Sequence, residues 1–283
     1  MIDSSLEAVL RRDRAIVAAA LAAIAGLAWF YLIEIGSAMA EPVALPGTGT
    51  SGMADMDMPT PHGRSSGGAL TPALVPWSTR AFLLMFLMWA VMMVGMMTPS
   101  VAPMMLIYAR VARQARTRQM PFASTGWFAL GYLLSWTGFA ALATILQWLL
   151  EQAALLTPMM ATASPAFGGA LLIVAGIYQW TPLKEACLGQ CQSPLLFIQN
   201  HGGFRGQWRS TLTLGLRHGA FCIGCCWGLM LLLFLGGVMN LLWIAGLAAL
   251  VLIEKLVARG RILSRIVGIV FVAAGLVLIQ EGF

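Results

Sequence analysis

The stretch FLLMFLMWAVMMVGMMTPSVAPMMLIY, residues 82–108, decides the fold of this chain. It contains no charged residue and is longer than the ~20 apolar residues that a helix needs to cross the hydrocarbon core of a bilayer. In lipid every backbone N–H and C=O group must be paired within its own segment or within a closed barrel. The stretch therefore predicts a membrane-spanning helix, which Pro99 and Pro103 kink or break, and such interrupted helices often border a site.

The rest of the sequence has the same character. Hydrophobic residues make up 59% of the 283 residues and charged residues 10%, whereas a soluble domain carries roughly 25% charged residues. Other apolar runs of spanning length occur at about residues 15–33, 127–150, 166–180, 214–235, 241–257 and 262–279. The prediction is an all-α, polytopic transmembrane helix bundle with about seven spans.

The distribution of Lys and Arg gives the orientation, because cytoplasmic loops of membrane proteins are enriched in these residues. With the N-terminus in the cytoplasm, only Arg64 and Arg80 of the 17 basic residues fall outside. We therefore predict a multi-pass protein of a bacterial inner membrane, with its N-terminus inside and its C-terminus outside. The net charge of +6 is then explained by this orientation. The expected partner is the lipid bilayer, and no nucleic-acid partner is expected.

Three segments follow from this topology. Residues 1–33 are predicted to be an N-terminal signal-anchor helix, although Ala38-Met39-Ala40 imitates a cleavage site and cleavage would leave six spans. Residues 34–79, rich in Gly, Pro, Ser and Thr, are predicted to form a flexible periplasmic loop that contains Met and His. Residues 80–283 are predicted to be a six-helix membrane domain with a cysteine cluster.

All five cysteines fall on or near the predicted cytoplasmic side, where structural disulfides are rare. Cys187 and Cys191 follow the fourth span, whereas Cys222, Cys225 and Cys226 belong to the fifth. His218 and Met230 continue the fifth-span row at helical spacing, since residues four apart share a helix face. Imidazole, thiolate and thioether suit copper(I), with zinc or an iron–sulfur cluster as competitors. Buried free thiols and a thiol redox relay are the alternatives.

Methionine is concentrated in two further places. Met92 and Met96 are stacked thioethers of the second span, and we predict that they form an intramembrane metal path, although a Met stripe is also ordinary packing. The outer loop carries a second Met/His group, which either captures metal or is part of a plain linker; its members are Met53, Met56, Met58 and His62.

Four motifs carry a family resemblance. They are WAVMMVGMMTPSVAPMM at 89–105, GIYQWTPLKEACLGQCQSP at 176–194, HGAFCIGCCWGLM at 218–230 with GVMN at 237–240, and Glu254-Lys255. In these the chain resembles an uncharacterised family of predicted metal-binding integral membrane proteins with a domain of unknown function. The resemblance extends over roughly residues 80–283 and implies metal handling, with the first span and the Met/His loop outside it.

The sequence leads to one working hypothesis and two alternatives. The first is a carrier that binds, and translocates or delivers, a soft transition metal, with a metallochaperone or membrane-complex partner. Its inner site would consist of the five cysteines with His218 and Met230. The second is a membrane thiol–disulfide oxidoreductase, which would need accessible thiols of low pKa. The third is a structural subunit of a larger membrane complex. Whether the protein is an enzyme is left open by the sequence, and a function other than catalysis is expected.

Overall fold

A computed structural model describes residue 15 and residues 17–34, 77–117, 124–157, 160–202, 207–257 and 259–282. Within these ranges the chain is helical and forms no strand, apart from an isolated antiparallel bridge between Leu156 and Thr162. The predicted all-α fold is confirmed. The predicted outer loop lies almost wholly outside the described residues.

Ten helices follow in the described ranges. The first two are α1, Val17–Glu34, and α2, Thr79–Thr117. Then come α3 at Thr125–Gln152, α4 at Pro165–Tyr178, α5 at Pro182–Gln192, α6 at Pro194–Asn200, α7 at Trp208–Leu231, α8 at Leu233–Gly236, α9 at Leu241–Leu256 and α10 at Gly260–Glu281. Helix α2 runs without a break through Pro99 and Pro103, so the prolines do not split the second span.

The lengths and compositions of these helices are those of a membrane protein. Among the described residues, five segments are long and apolar enough to cross a bilayer, or six if α4 and α5, which meet at 65°, form one bent span. This number is below the predicted seven, because α4 has 14 residues and α9 has 16. Large aliphatic side chains of α10, such as Ile266 and Ile269, are more than half exposed, as expected for a lipid-facing helix.

Glycines let two helix pairs approach closely, which is a common device in membrane bundles. A Cβ atom at Gly131 of α3 would overlap the Leu212 carbonyl of α7, and one at Gly215 of α7 would overlap the Phe128 carbonyl of α3. Gly169 and Gly275 meet in the same way between α4 and α10. The α3–α7 contact matters most, because α7 carries three of the five cysteines.

The described part of the first span is attached to the bundle through α2. A Cβ atom at Gly95 would lie 3.1 Å from the Cβ atom of Ala28, and Leu32 is fully buried. Since α2 also packs against α3 and α9, the methionine-rich helix is enclosed by several elements. Its segment from Met88 to Met105 therefore contributes much of the buried core.

Candidate metal centre

Helix α7 positions three thiols in the interior. Cys222, Cys225 and Cys226 are each at most 2% exposed. The thiols of Cys225 and Cys226 point back along the helix and donate to the Cys222 carbonyl oxygen at 3.1 and 3.0 Å. Spacings of three and four residues place all three side chains on neighbouring parts of one helix face.

A fourth thiol comes from α5. Cys191 lies close enough to Cys222 and Cys225 for their side chains to interact electrostatically, and Cys226 likewise lies near the same two residues. We call the set of Cys191, Cys222, Cys225 and Cys226 the sulfur cluster. Cys191 is the one member that is partly exposed, whereas the three thiols of α7 are buried. The cluster therefore joins two helices.

Cys187 occupies a different position from Cys191. It lies one turn earlier on α5, and a Cβ atom at Gly224 of α7 would be 2.7 Å from its Sγ atom. The Gly224 carbonyl accepts a hydrogen bond from the Tyr178 hydroxyl. Cys187 is thus buried in the α5–α7 contact beside the sulfur cluster, where glycine leaves room for its sulfur.

The position of α5 is fixed by buried polar contacts. Thr181 caps the helix by accepting from the Lys184 backbone N–H at 3.3 Å. The Lys184 ammonium pairs with the Glu254 carboxylate at 2.7 Å, and both side chains are at most 2% exposed. At the other end of α5, Gln192 donates to the Glu254 carbonyl oxygen at 2.8 Å. Helix α9 therefore helps to hold α5, and with it Cys191, in place.

A polar group surrounds Cys222. Lys255 of α9 donates from Nζ to the Cys222 Sγ atom at 2.9 Å and to the Ser100 hydroxyl at 3.2 Å. The Tyr132 hydroxyl contacts the same sulfur at 3.2 Å and donates to the Met97 carbonyl at 3.2 Å. This group was not predicted from the sequence. Two local signals point to it, namely a lysine at the end of an apolar span and a serine beside Pro99.

His218 lies one turn before Cys222 and is 3% exposed. Its ring is surrounded by the rings of Phe128, Tyr132 and Phe197, at centroid distances of 5.8, 6.0 and 4.9 Å. Its Nδ1 atom has no hydrogen-bond partner among the described residues. Such a buried nitrogen without a partner is unusual, and it can serve as a ligand.

The methionines named in the sequence are buried but are spread along the bundle. Met92 and Met96 are at most 2% exposed and lie on the same face of α2 as Ser100. The Ser100 hydroxyl accepts a hydrogen bond from Lys255, which also contacts Cys222. Met230 is two turns beyond Cys222 and lines a cavity of about 170 Å³ with Trp89 and Phe234. The outer group of Met53, Met56, Met58 and His62 falls outside the described residues.

The donors touch pairwise rather than around one point. In the ranges that the structure describes, no three His, Cys, Asp or Glu side chains are arranged to hold an ion together. Without rearrangement, fewer than three of these described side chains would bind the same ion. Soft thiolate ligands of this kind fit copper(I) better than a hard cation.

The fold and this site define a helical membrane protein with a buried set of thiols. Residues 86–278, more than half of the chain, match the model of the family PpoB2, described as a copper chaperone. The chain belongs to this copper chaperone family, and its function is related to copper. No curated protein and no solved structure matches the chain.

Proposed function

We propose that the protein is a membrane-embedded carrier that holds copper(I) in the sulfur cluster and delivers it to a partner protein. The observation that carries the proposal is that Cys191 of α5 lies next to Cys222 and Cys225 of α7. Thiols that only fill space have no need to converge in this way. Membership of the copper chaperone family supports copper as the cargo.

The geometry favours copper(I) over zinc or an iron–sulfur cluster. Structural zinc sites use four ligands in a closed tetrahedron, and iron–sulfur clusters are held by four cysteines. The pairwise contacts of the sulfur cluster instead suit an ion of low coordination number and soft character. The unpartnered Nδ1 atom of His218, one turn away, is a further donor beside the cluster.

The partly exposed Cys191 is the point at which cargo would be exchanged. On the predicted topology α5 lies on the cytoplasmic side of a bacterial inner membrane, where a metallochaperone could reach it. Met92 and Met96 would connect the cluster with the outer side, and the Met/His group of the loop would collect copper there. Delivery of copper to a partner protein and translocation of copper across the membrane would both use the sulfur cluster, because each needs a buried copper site that a partner can reach.

Metal content after reconstitution tests the binding step. The full-length protein in detergent is loaded with copper(I) under a reductant, desalted and subjected to elemental analysis. We expect bound copper in the unmodified protein and its loss in Cys191→Ser and Cys222→Ser. Cys187→Ser is the matched control from the same helix and should keep its copper. Equal copper in all four proteins would contradict the proposal.

A route through α2 is tested separately in vesicles. Copper(I) uptake should slow in a Met92→Leu/Met96→Leu variant whose bound copper is unchanged, because leucine keeps the packing but removes the thioether. Met105→Leu, in the same helix, is the control. Undiminished uptake in the double variant would contradict a path through α2 but would not affect the proposed binding site.

The contacts of Cys191 also fit a second function, a membrane thiol oxidoreductase. Adjacent thiols are the arrangement that disulfide exchange needs. Thiol trapping in cells with and without oxidant separates the two functions. Reversible disulfide formation in protein that binds no copper would favour the oxidoreductase.

A further inference from the structure

Lys255 is a buried cation that contacts sulfur rather than a carboxylate. It is 7% exposed, and its Nζ atom is 2.9 Å from Cys222 Sγ. The adjacent Glu254 is paired with Lys184 instead. Across the described ranges, neither of the ion pairs, Lys184–Glu254 and Arg265–Glu185, includes Lys255.

A buried ammonium group without an opposite charge is strongly unfavourable. The other hydrogen-bond partner of Nζ among the described residues is the Ser100 hydroxyl group, which is neutral. Among the residues that the structure describes, only the Cys222 sulfur, as a thiolate, can provide a negative charge at hydrogen-bond distance. Charge-assisted hydrogen bonds of this kind are the stronger ones, so Lys255 and Cys222 form a unit.

We propose that Lys255 determines the specificity of the sulfur cluster for a monovalent ion, and this inference rests on the proposed copper site. Copper(I) held by the thiolates of Cys191 and Cys222 has one net negative charge, which the Lys255 ammonium balances. A divalent ion on the same two thiolates is already neutral, and the lysine then adds an uncompensated buried charge. The lysine thereby disfavours zinc(II) relative to copper(I).

The arrangement around Lys255 fixes where this charge acts. Ser100 of α2 and Cys222 of α7 both accept from Nζ, so the ammonium is held between two helices. The Tyr132 hydroxyl approaches the same sulfur from α3. An ammonium held between α2 and α7 cannot withdraw to solvent when the cargo changes, and this makes it selective.

Competition titrations of the full-length protein with copper(I) and zinc(II), each against a chromophoric chelator under reductant, test the inference. In Lys255→Met we expect copper(I) affinity to fall by about tenfold or more, because removing one partner of a buried pair is costly. Zinc(II) affinity should stay unchanged or rise. Lys255→Arg retains the charge and should keep the preference for copper(I). An equal change for both ions in Lys255→Met would overturn the proposal.

A second pair of variants covers the case in which Lys255→Met fails to fold. Ser100→Asp places a carboxylate beside the ammonium and offsets its charge, whereas Ser100→Asn is nearly the same size and neutral. Relative to Asn, the Asp variant should bind copper(I) more weakly and zinc(II) more tightly. The same metal preference in both would refute the role of the charge. If the unmodified protein binds no copper(I), the proposed function itself fails; if it binds copper(I) with a preference independent of Lys255, only this inference fails.

Discussion

Replacing Lys184 with Met should release α5 from the bundle and expose Cys191. The Lys184–Glu254 pair is almost completely buried, with an Nζ–Oε2 distance of 2.7 Å. Glu254 would keep hydrogen bonds from Gln179 and Ser264 but would lose its cation. Breaking a buried pair by removing one partner costs about 3–5 kcal/mol. Since each 1.4 kcal/mol is about a factor of ten, the undocked fraction of α5 should rise by roughly a hundredfold or more.

The assay is the rate at which a maleimide modifies Cys191, measured on its peptide by mass spectrometry. We expect rapid modification in Lys184→Met and slow modification in the unmodified protein. Glu185→Gln is the matched control, because it removes the neighbouring pair with Arg265, whose guanidinium is 64% exposed. Exposed pairs contribute only about 0–1 kcal/mol. If the two variants react at the same rate, the buried pair does not hold α5.

Three further predictions concern the walls of the site. Tyr132→Phe removes a hydroxyl contact to Cys222 worth about 0.5–1.5 kcal/mol, and chelator competition should show copper(I) affinity reduced by roughly two- to tenfold; unchanged affinity would contradict the contact. In Gly215→Leu the side chain would overlap the α3 backbone, so the yield of monodisperse protein in size-exclusion chromatography should collapse, whereas Gly138→Leu, at an open position, should behave normally. Cys187→Ser should change the rate of the maleimide reaction of Cys191 by no more than about threefold in either direction, since serine still fits beside the Gly224 position; a larger change would mean that Cys187 shares the cluster.

The fold was largely predictable because its signal is local. Long apolar runs without charge, such as residues 82–108, predict membrane helices from composition alone. The number of spans was harder to predict, since α4 and α9 are short and α4 continues into α5 through a bend. Whether a short apolar helix crosses the bilayer depends on its neighbours, which the sequence does not show.

The glycine pattern was partly predictable for a similar reason. Gly131, Gly169 and Gly275 lie in apolar runs, where small residues often mark helix packing, and each has a backbone atom of a neighbouring helix where its Cβ atom would be. Gly138 and Gly246 have nothing within 4 Å of that position. Glycine permits a close approach, but only the pairing of helices decides where one occurs.

The cysteines of α7 could be grouped from their helical spacing, but their partners could not. From their spacing alone, Cys187 and Cys191 are equivalent. In the structure Cys187 lies beside Gly224, whereas Cys191 belongs to the sulfur cluster. A lysine in an apolar span, such as Lys255, commonly extends to the membrane interface or pairs with another polar group. Lys255 instead contacts a sulfur on another helix, and a contact between residues so far apart in the chain has no local signal.

X-ray absorption spectroscopy of the copper(I)-loaded protein identifies the atoms that bind the metal. We expect copper(I) bound mainly by sulfur, with the sulfur signal lost in Cys222→Ser and retained in Cys187→Ser. Copper surrounded only by oxygen or nitrogen, or an unchanged spectrum in Cys222→Ser, would show that the cargo is held elsewhere.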